Sequence, residues 1–100
     1  MPLIIDSYSI PDKYLIGFIP DADQIIRFQG RALEGIGKAI CERLDKYRKG
    51  EKIEVVVNSR STGFYREGIY KIVEIQTQPP AHPEKAQAIY RFSGILEPVP

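Results

Sequence analysis

Only one stretch of this chain repeats its apolar residues with the period of a helix, while most of the rest repeats them with the period of a strand. That contrast constrains the fold more than any other feature. From Arg31 to Lys49, Leu33, Ile36, Ile40, Leu44 and Tyr47 recur at spacings of three and four and form one apolar stripe. Glu34 stands near the start of this stretch, Lys46, Arg48 and Lys49 stand near its end, and Gly50 follows in the place of a C′ residue. The pattern predicts a helix over 31–49. Gly35 and Gly37 lie inside it, each costing about 1 kcal/mol relative to alanine, which predicts that they let the helix sit close to a sheet.

The strand-like segments surround this helix. Leu3 to Ile10 reads as a short strand or ordered arm interrupted by Asp6, Ser7 and Ser9, and Lys13 to Ile19 reads as a buried strand. After the turn residues Pro20 to Asp23, the stretch Gln24 to Gln29 admits two readings. As a helix, Asp21 and Gln24 resemble a capping box; as a strand, Ile26 and Phe28 alternate with Arg27 and form a hairpin with 13–19. The strand is preferred because Gly30 is a poor interior helix residue.

Lys52 to Asn58 alternates Ile53, Val55 and Val57 against Lys52, Glu54, Val56 and Asn58. Ile69 to Thr77 resumes as a strand, with Ile69, Val73 and Ile75 on one face and Tyr70, Ile72 and Glu74 on the other. Gln78 to Lys85 carries three prolines and is a loop, since proline removes ladder donors. Ala86 to Leu96 closes the chain with Ala86, Ala88, Tyr90, Phe92 and Leu96 opposite Gln87, Ile89, Arg91, Ser93 and Ile95. The expectation is a single α+β domain over 1–100: one helix packed on an antiparallel sheet of four to six strands, ending in a three-stranded meander.

Composition limits the partners. A net charge of +1 gives no global field to hold the chain on nucleic acid or an anionic membrane. The absence of a basic leader or a long apolar segment predicts a soluble, cytoplasmic chain, and a lone cysteine, Cys41, is compatible with a reducing compartment. Cys41 adjoins the helix stripe and reads as a small buried thiol. His82, the only histidine, falls in the proline-rich loop. No ligand spacing suggests a metal, and no cofactor motif is present. The stretch Gly30 to Lys38 lacks the Gly-Lys-Ser/Thr order of a phosphate loop. Ser59, Ser61 and Thr62 have only His82 as an imidazole base and no third group, so the chain is read as not an enzyme.

One local excess of functional groups remains. Ser59 to Lys71 concentrates arginines, hydroxyls, aromatics and glycines between two strand-like runs. Arg60, Phe64, Tyr65, Arg66 and Tyr70, with Arg91 as a neighbour across the sheet, are the predicted binding residues. Near-neutral charge favours a protein-interaction or self-associating module. The alternative is single-stranded nucleic-acid binding, with Arg60, Arg66, Lys71 and Arg91 on phosphates and the aromatics stacked on bases. The plain structural account is a hairpin connection whose Phe64 or Tyr65 covers the end of the core. A homodimer is a further expectation if 86–96 or the strand beginning at Lys13 lies at a sheet edge.

Overall fold

The computed structural model describes residues 3–5, 10, 14–20, 24–59 and 63–100. In chain order its elements are β1 (Leu3–Ile5), β2 (Leu15–Pro20), β3 (Ile26–Leu33), α1 (Glu34–Leu44), β4 (Lys52–Ser59), β5 (Phe64–Gln78) and β6 (Ile89–Pro98). They build one six-stranded sheet in the order β1-β4-β5-β6-β3-β2, with α1 lying over β6, β3 and β5. The α+β expectation and the C-terminal meander β4-β5-β6 are both met.

The sheet is mixed rather than wholly antiparallel. β1 pairs parallel to β4, with Leu3, Ile4 and Ile5 beside Val55, Val56 and Val57. A parallel pair needs a long crossover, and β2, β3 and α1 together supply it. Residues 24–29 belong to a strand hairpin: Phe18 pairs with Phe28 and Ile19 with Arg27. Along β3, burial alternates at every residue, with Ile26, Phe28, Gly30 and Ala32 buried and Arg27, Gln29, Arg31 and Leu33 exposed.

The helix is shorter than its apolar stripe. Arg31, Ala32 and Leu33 continue the β3 ladder against Arg91, Tyr90 and Ile89, and Leu33 keeps extended backbone angles (φ −82°, ψ 148°) as the residue before the first turn. Eight consecutive pairs with β6 hold this strand, and their continuous hydrogen bonding outweighs a helical stripe that begins three residues after Gly30. At the other end the helix stops at Leu44. Gly50 does take a left-handed conformation, φ 87°, but as the entry to β4, where its N–H donates to the Ile72 carbonyl at 2.8 Å. Only Gly37, Ile40, Cys41 and Leu44 of the helix are buried.

Among the described residues the core gathers nine side chains with essentially no exposure, including Ile26, Ile40, Leu44, Ile72 and Leu96. Each such aliphatic group contributes about 1.5–3 kcal/mol on burial. Two reciprocal pairs organise its centre. Phe28 of β3 faces Gly94 of β6, and Gly30 of β3 faces Phe92 of β6. A Cβ on Gly94 would lie 2.5 Å from Phe28 Cζ, and one on Gly30 would lie 2.7 Å from the Phe92 ring and 2.5 Å from the Tyr14 carbonyl oxygen. Each ring therefore occupies the volume that its partner's missing side chain leaves. Gly37 fits the predicted role of close approach, since a Cβ there would lie 2.5 Å from the Ala32 carbonyl oxygen and 2.7 Å from Tyr90 Cβ. Gly35 does not, with nothing within 4 Å.

β5 is fifteen residues long and changes which residues it buries part-way. Ile72 pairs with Leu96 and Glu74 with Ile95, leaving Val73 as an extra residue. Before this bulge Tyr70 and Ile72 are buried; after it Ile75 and Thr77 pair with Gly94 and Phe92 on the helix-covered side. The expected single face of Ile69, Val73 and Ile75 is broken by that shift, and Ile69 is exposed. No helix among the described residues is long and apolar enough to cross a membrane.

Candidate binding surface

Because α1 covers one side of the sheet, the strand residues of opposite parity on β3, β6 and the second half of β5 form a second, uncovered face. Register sorts them into three rows. Arg31 pairs with Arg91, which pairs with Gln78; Gln29 pairs with Ser93, which pairs with Gln76; Arg27 pairs with Ile95, which pairs with Glu74. Two overlapping hollows occupy this grid. One of about 670 Å³ includes Gln29, Gln76, Gln78, Arg91 and Ser93, and one of about 410 Å³ includes Arg27, Gln29, Glu74, Gln76 and Ser93.

The Arg31–Arg91 pair is electrostatically unfavourable as it stands. Residues directly opposite on an antiparallel pair hold their Cβ atoms about 4.5–5.5 Å apart, and like charges there repel. Neither guanidinium has an ion pair or hydrogen bond among the described residues. The other like-charge pair, Lys52 opposite Lys71, has Glu97 on the far side of Lys71. Arg91 has neutral Gln78 there instead.

An apolar rim adjoins the arginines. Leu33 is 52% exposed, Ile89, its partner in register, is 38% exposed, and Ile36 on the first turn of α1 is 48% exposed. With Tyr14, Arg31 and Ala32 these three line a groove of about 330 Å³. The rim is set by the junction between β3 and α1. The Glu34 N–H donates to the Ala88 carbonyl at 3.0 Å, and the Gln87 N–H donates to Glu34 Oε1 at 2.9 Å. Both Glu34 (φ 32°) and Gln87 (φ 64°) are in left-handed backbone territory, which a non-glycine residue keeps only when its surroundings enforce it. The reciprocal bonds supply that enforcement and bring Ile89 alongside Leu33.

No family model, curated protein or solved structure matches this chain.

The residues predicted from sequence are distributed elsewhere. Arg60 lies outside the described residues, and of Phe64 only the backbone, at the start of β5, is described. The stretch 64–71 is part of a continuous strand paired with β4 from Phe64 to Lys71. Tyr65 is exposed and its hydroxyl donates to Glu67 Oε2 at 3.0 Å; that hydrogen bond, then the carboxylate's charge, raises the tyrosine pKa. Arg66 donates through Nη1 to the Gln24 carbonyl at 3.2 Å, tying the start of β5 to the approach to β3. Tyr70 is only 3% exposed and belongs to the core, because its parity on β5 is that of Ile72.

Arg91 is not a neighbour of this group. It pairs with Gln78, thirteen residues along β5 from Tyr65, a separation of roughly 40 Å at the rise of a strand. The structure thus separates Arg91 from Tyr65, Arg66 and Tyr70 and joins it to Arg31, Gln29, Ser93 and Gln78. Strand alternation over 26–33 would have placed Arg27, Gln29 and Arg31 on one face; assigning Arg31–Leu33 to the helix hid it.

β6 is an interior strand, flanked by β5 and β3, whereas β2 is an edge strand. Of the two segments considered for edge pairing, only the one beginning at Lys13 meets the condition. Cys41 is a buried thiol whose Sγ is 3.7 Å from the Arg91 carbonyl oxygen. Burial, with a smaller contribution from Asp45, raises its pKa. His82 sits exposed in the loop, with Nδ1 3.4 Å from Glu84 Oε1.

Proposed function

We propose that this domain is a non-catalytic protein-interaction module that meets its partner at the Leu33–Ile36–Ile89 rim and the adjoining open sheet face. The observation that carries this reading is the clustering of three large, half-exposed aliphatic side chains in one groove. Apolar surface grouped in this way favours leaving water by contact with another molecule. The neighbouring arginines and glutamines supply the polar margin found around apolar interface centres.

A single-stranded nucleic acid would be held by cations interleaved with stacking rings. Here the groove beside Arg31 is mostly aliphatic, with Tyr14 supplying its ring, and Tyr65 lies far along β5, so a protein partner is favoured. A second copy is the less favoured protein partner, because an isologous contact centred on Arg31 and Arg91 brings like charges together.

Photo-crosslinking tests the reading. A benzophenone side chain substituted at Ile36 should capture one discrete partner in extract of the source cells, and Leu33→Asp should abolish the adduct. The same probe at Glu42, exposed on α1, should not capture it. Equal labelling from both positions would sink the proposal. An adduct of twice the chain's mass, accompanied by dimer in sedimentation equilibrium, would reassign the rim to self-association.

A further inference from the structure

We propose that Arg31 and Arg91 jointly hold a carboxylate of an acidic partner segment, while a neighbouring aliphatic side chain of that segment fills the Leu33–Ile36–Ile89 groove. This rests on the protein-interaction reading and names the chemistry of its partner.

Three observations combine. First, the two guanidiniums stand opposite each other on β3 and β6 without an ion pair among the described residues. Two such forks at cross-strand spacing match the two oxygens of one carboxylate, which removes their mutual repulsion on binding.

Second, nearby carboxylates are engaged elsewhere. Glu34 accepts from the Gln87 N–H, and Glu74 accepts from the Gln76 amide. Among the described residues no carboxylate is engaged with the positive pair, which leaves it open to an external anion. Gln78 pairs with Arg91 on its far side, where a side-chain amide is available to a second ligand oxygen.

Third, Arg31 lines the apolar groove as well as the charged row. A ligand that satisfies both carries its negative charge within one residue of a branched aliphatic group. An acidic peptide does this; a phosphate polymer brings no aliphatic group to the groove.

The test uses the full chain and four probes: the peptide acetyl-Leu-Glu-Leu-Glu-Leu-amide, its analogue with glutamine for each glutamate, inorganic phosphate, and mixed-sequence single-stranded RNA. The readouts are the arginine Nε–Hε signals of residues 31 and 91 and the methyl signals of Leu33, Ile36 and Ile89. The acidic peptide should move both sets together. The glutamine analogue should bind about tenfold more weakly or worse, and Arg31→Gln or Arg91→Gln should each weaken the acidic peptide by about tenfold without lowering the melting temperature. Phosphate should move the arginine signals alone.

Equal binding of the two peptides through the methyl signals would remove the carboxylate assignment and leave the interaction module standing. Arginine signals that follow RNA, fade with salt and ignore the acidic peptide would overturn the proposal in favour of a phosphate polymer. Silence of both peptides would overturn it too, with crosslinking from position 36 deciding the wider reading independently.

Discussion

The two faces of the β3–β6 ladder solve opposite problems with the same register. On the helix side, each large residue meets a missing side chain, Phe28 over Gly94 and Phe92 over Gly30, so the fit is complementary pair by pair. On the open side, one residue along the strands, Arg31 meets Arg91, and Leu33 meets Ile89 in partial exposure. Folding alone explains the first face. It does not explain the second, where repulsion and hydrated apolar surface both oppose the isolated domain. The difference is what motivates placing the proposed contact on the side that stability would have built otherwise.

Substitutions can break this comparison, and the covered face should respond most. Gly30→Ala should destabilise the fold by about 3 kcal/mol, because the new methyl meets backbone as well as a ring in a closed core; urea unfolding measures it. Next come the two helix glycines, which should respond with opposite signs. Gly37→Ala forces α1 away from Ala32 and Tyr90 and should cost about 2 kcal/mol, whereas Gly35→Ala meets nothing and should gain about 0.5–1 kcal/mol from helix propensity. Equal effects at the two sites would mean that the helix does not rest on β3 and β6 through Gly37.

The open face should give smaller effects in the other direction. Arg91→Gln should leave stability unchanged or raise it by about 0.2–1 kcal/mol through relief of the like-charge pair. A clear loss in urea unfolding would show that the arginine holds the sheet together, and the contrast between the faces would fail. The smallest effect is a pH dependence at Cys41. Its thiol pKa is raised in the folded state, by burial and then by Asp45, so the unfolded chain ionises first. That contribution is fully present below the unfolded thiol's pKa and is lost as pH rises through the folded one. Unfolding free energy should therefore fall less steeply at alkaline pH in Cys41→Ala than in the parent chain.

Much of the fold was legible because most segments obey one period. Ile53, Val55 and Val57 are buried as their alternation implies, and so are Tyr90, Phe92 and Leu96. The misread places are those where two periods overlap or one is interrupted. Leu33 and Ile36 extend the helical spacing of Ile40 and Leu44, yet Leu33 is also the last odd-parity residue of a strand. Gly30 reads as an interruption until Phe92 is known to fill its place. At Val73 an extra residue resets parity, which alternation counted from Ile69 onward cannot reveal. The candidate site was less legible than the fold. Composition drew attention to 59–71, whereas the Arg31–Arg91 row depends on a pairing between residues sixty positions apart.

The extra residue in β5 also bears on how this chain can change length in evolution. Removing a paired residue such as Ile75 would turn the remainder of the strand over, carrying Gln76 towards the helix and Thr77 into water, whereas removing the unpaired Val73 would leave Glu74 opposite Ile95 and Thr77 opposite Phe92. The loop at 79–88 has no such parity to preserve before its clamp at Gln87. Descendants of this sequence should therefore gain and lose residues between Pro79 and Ala86, while within Phe64 to Gln78 only the bulge residue Val73 can be lost without turning a face over.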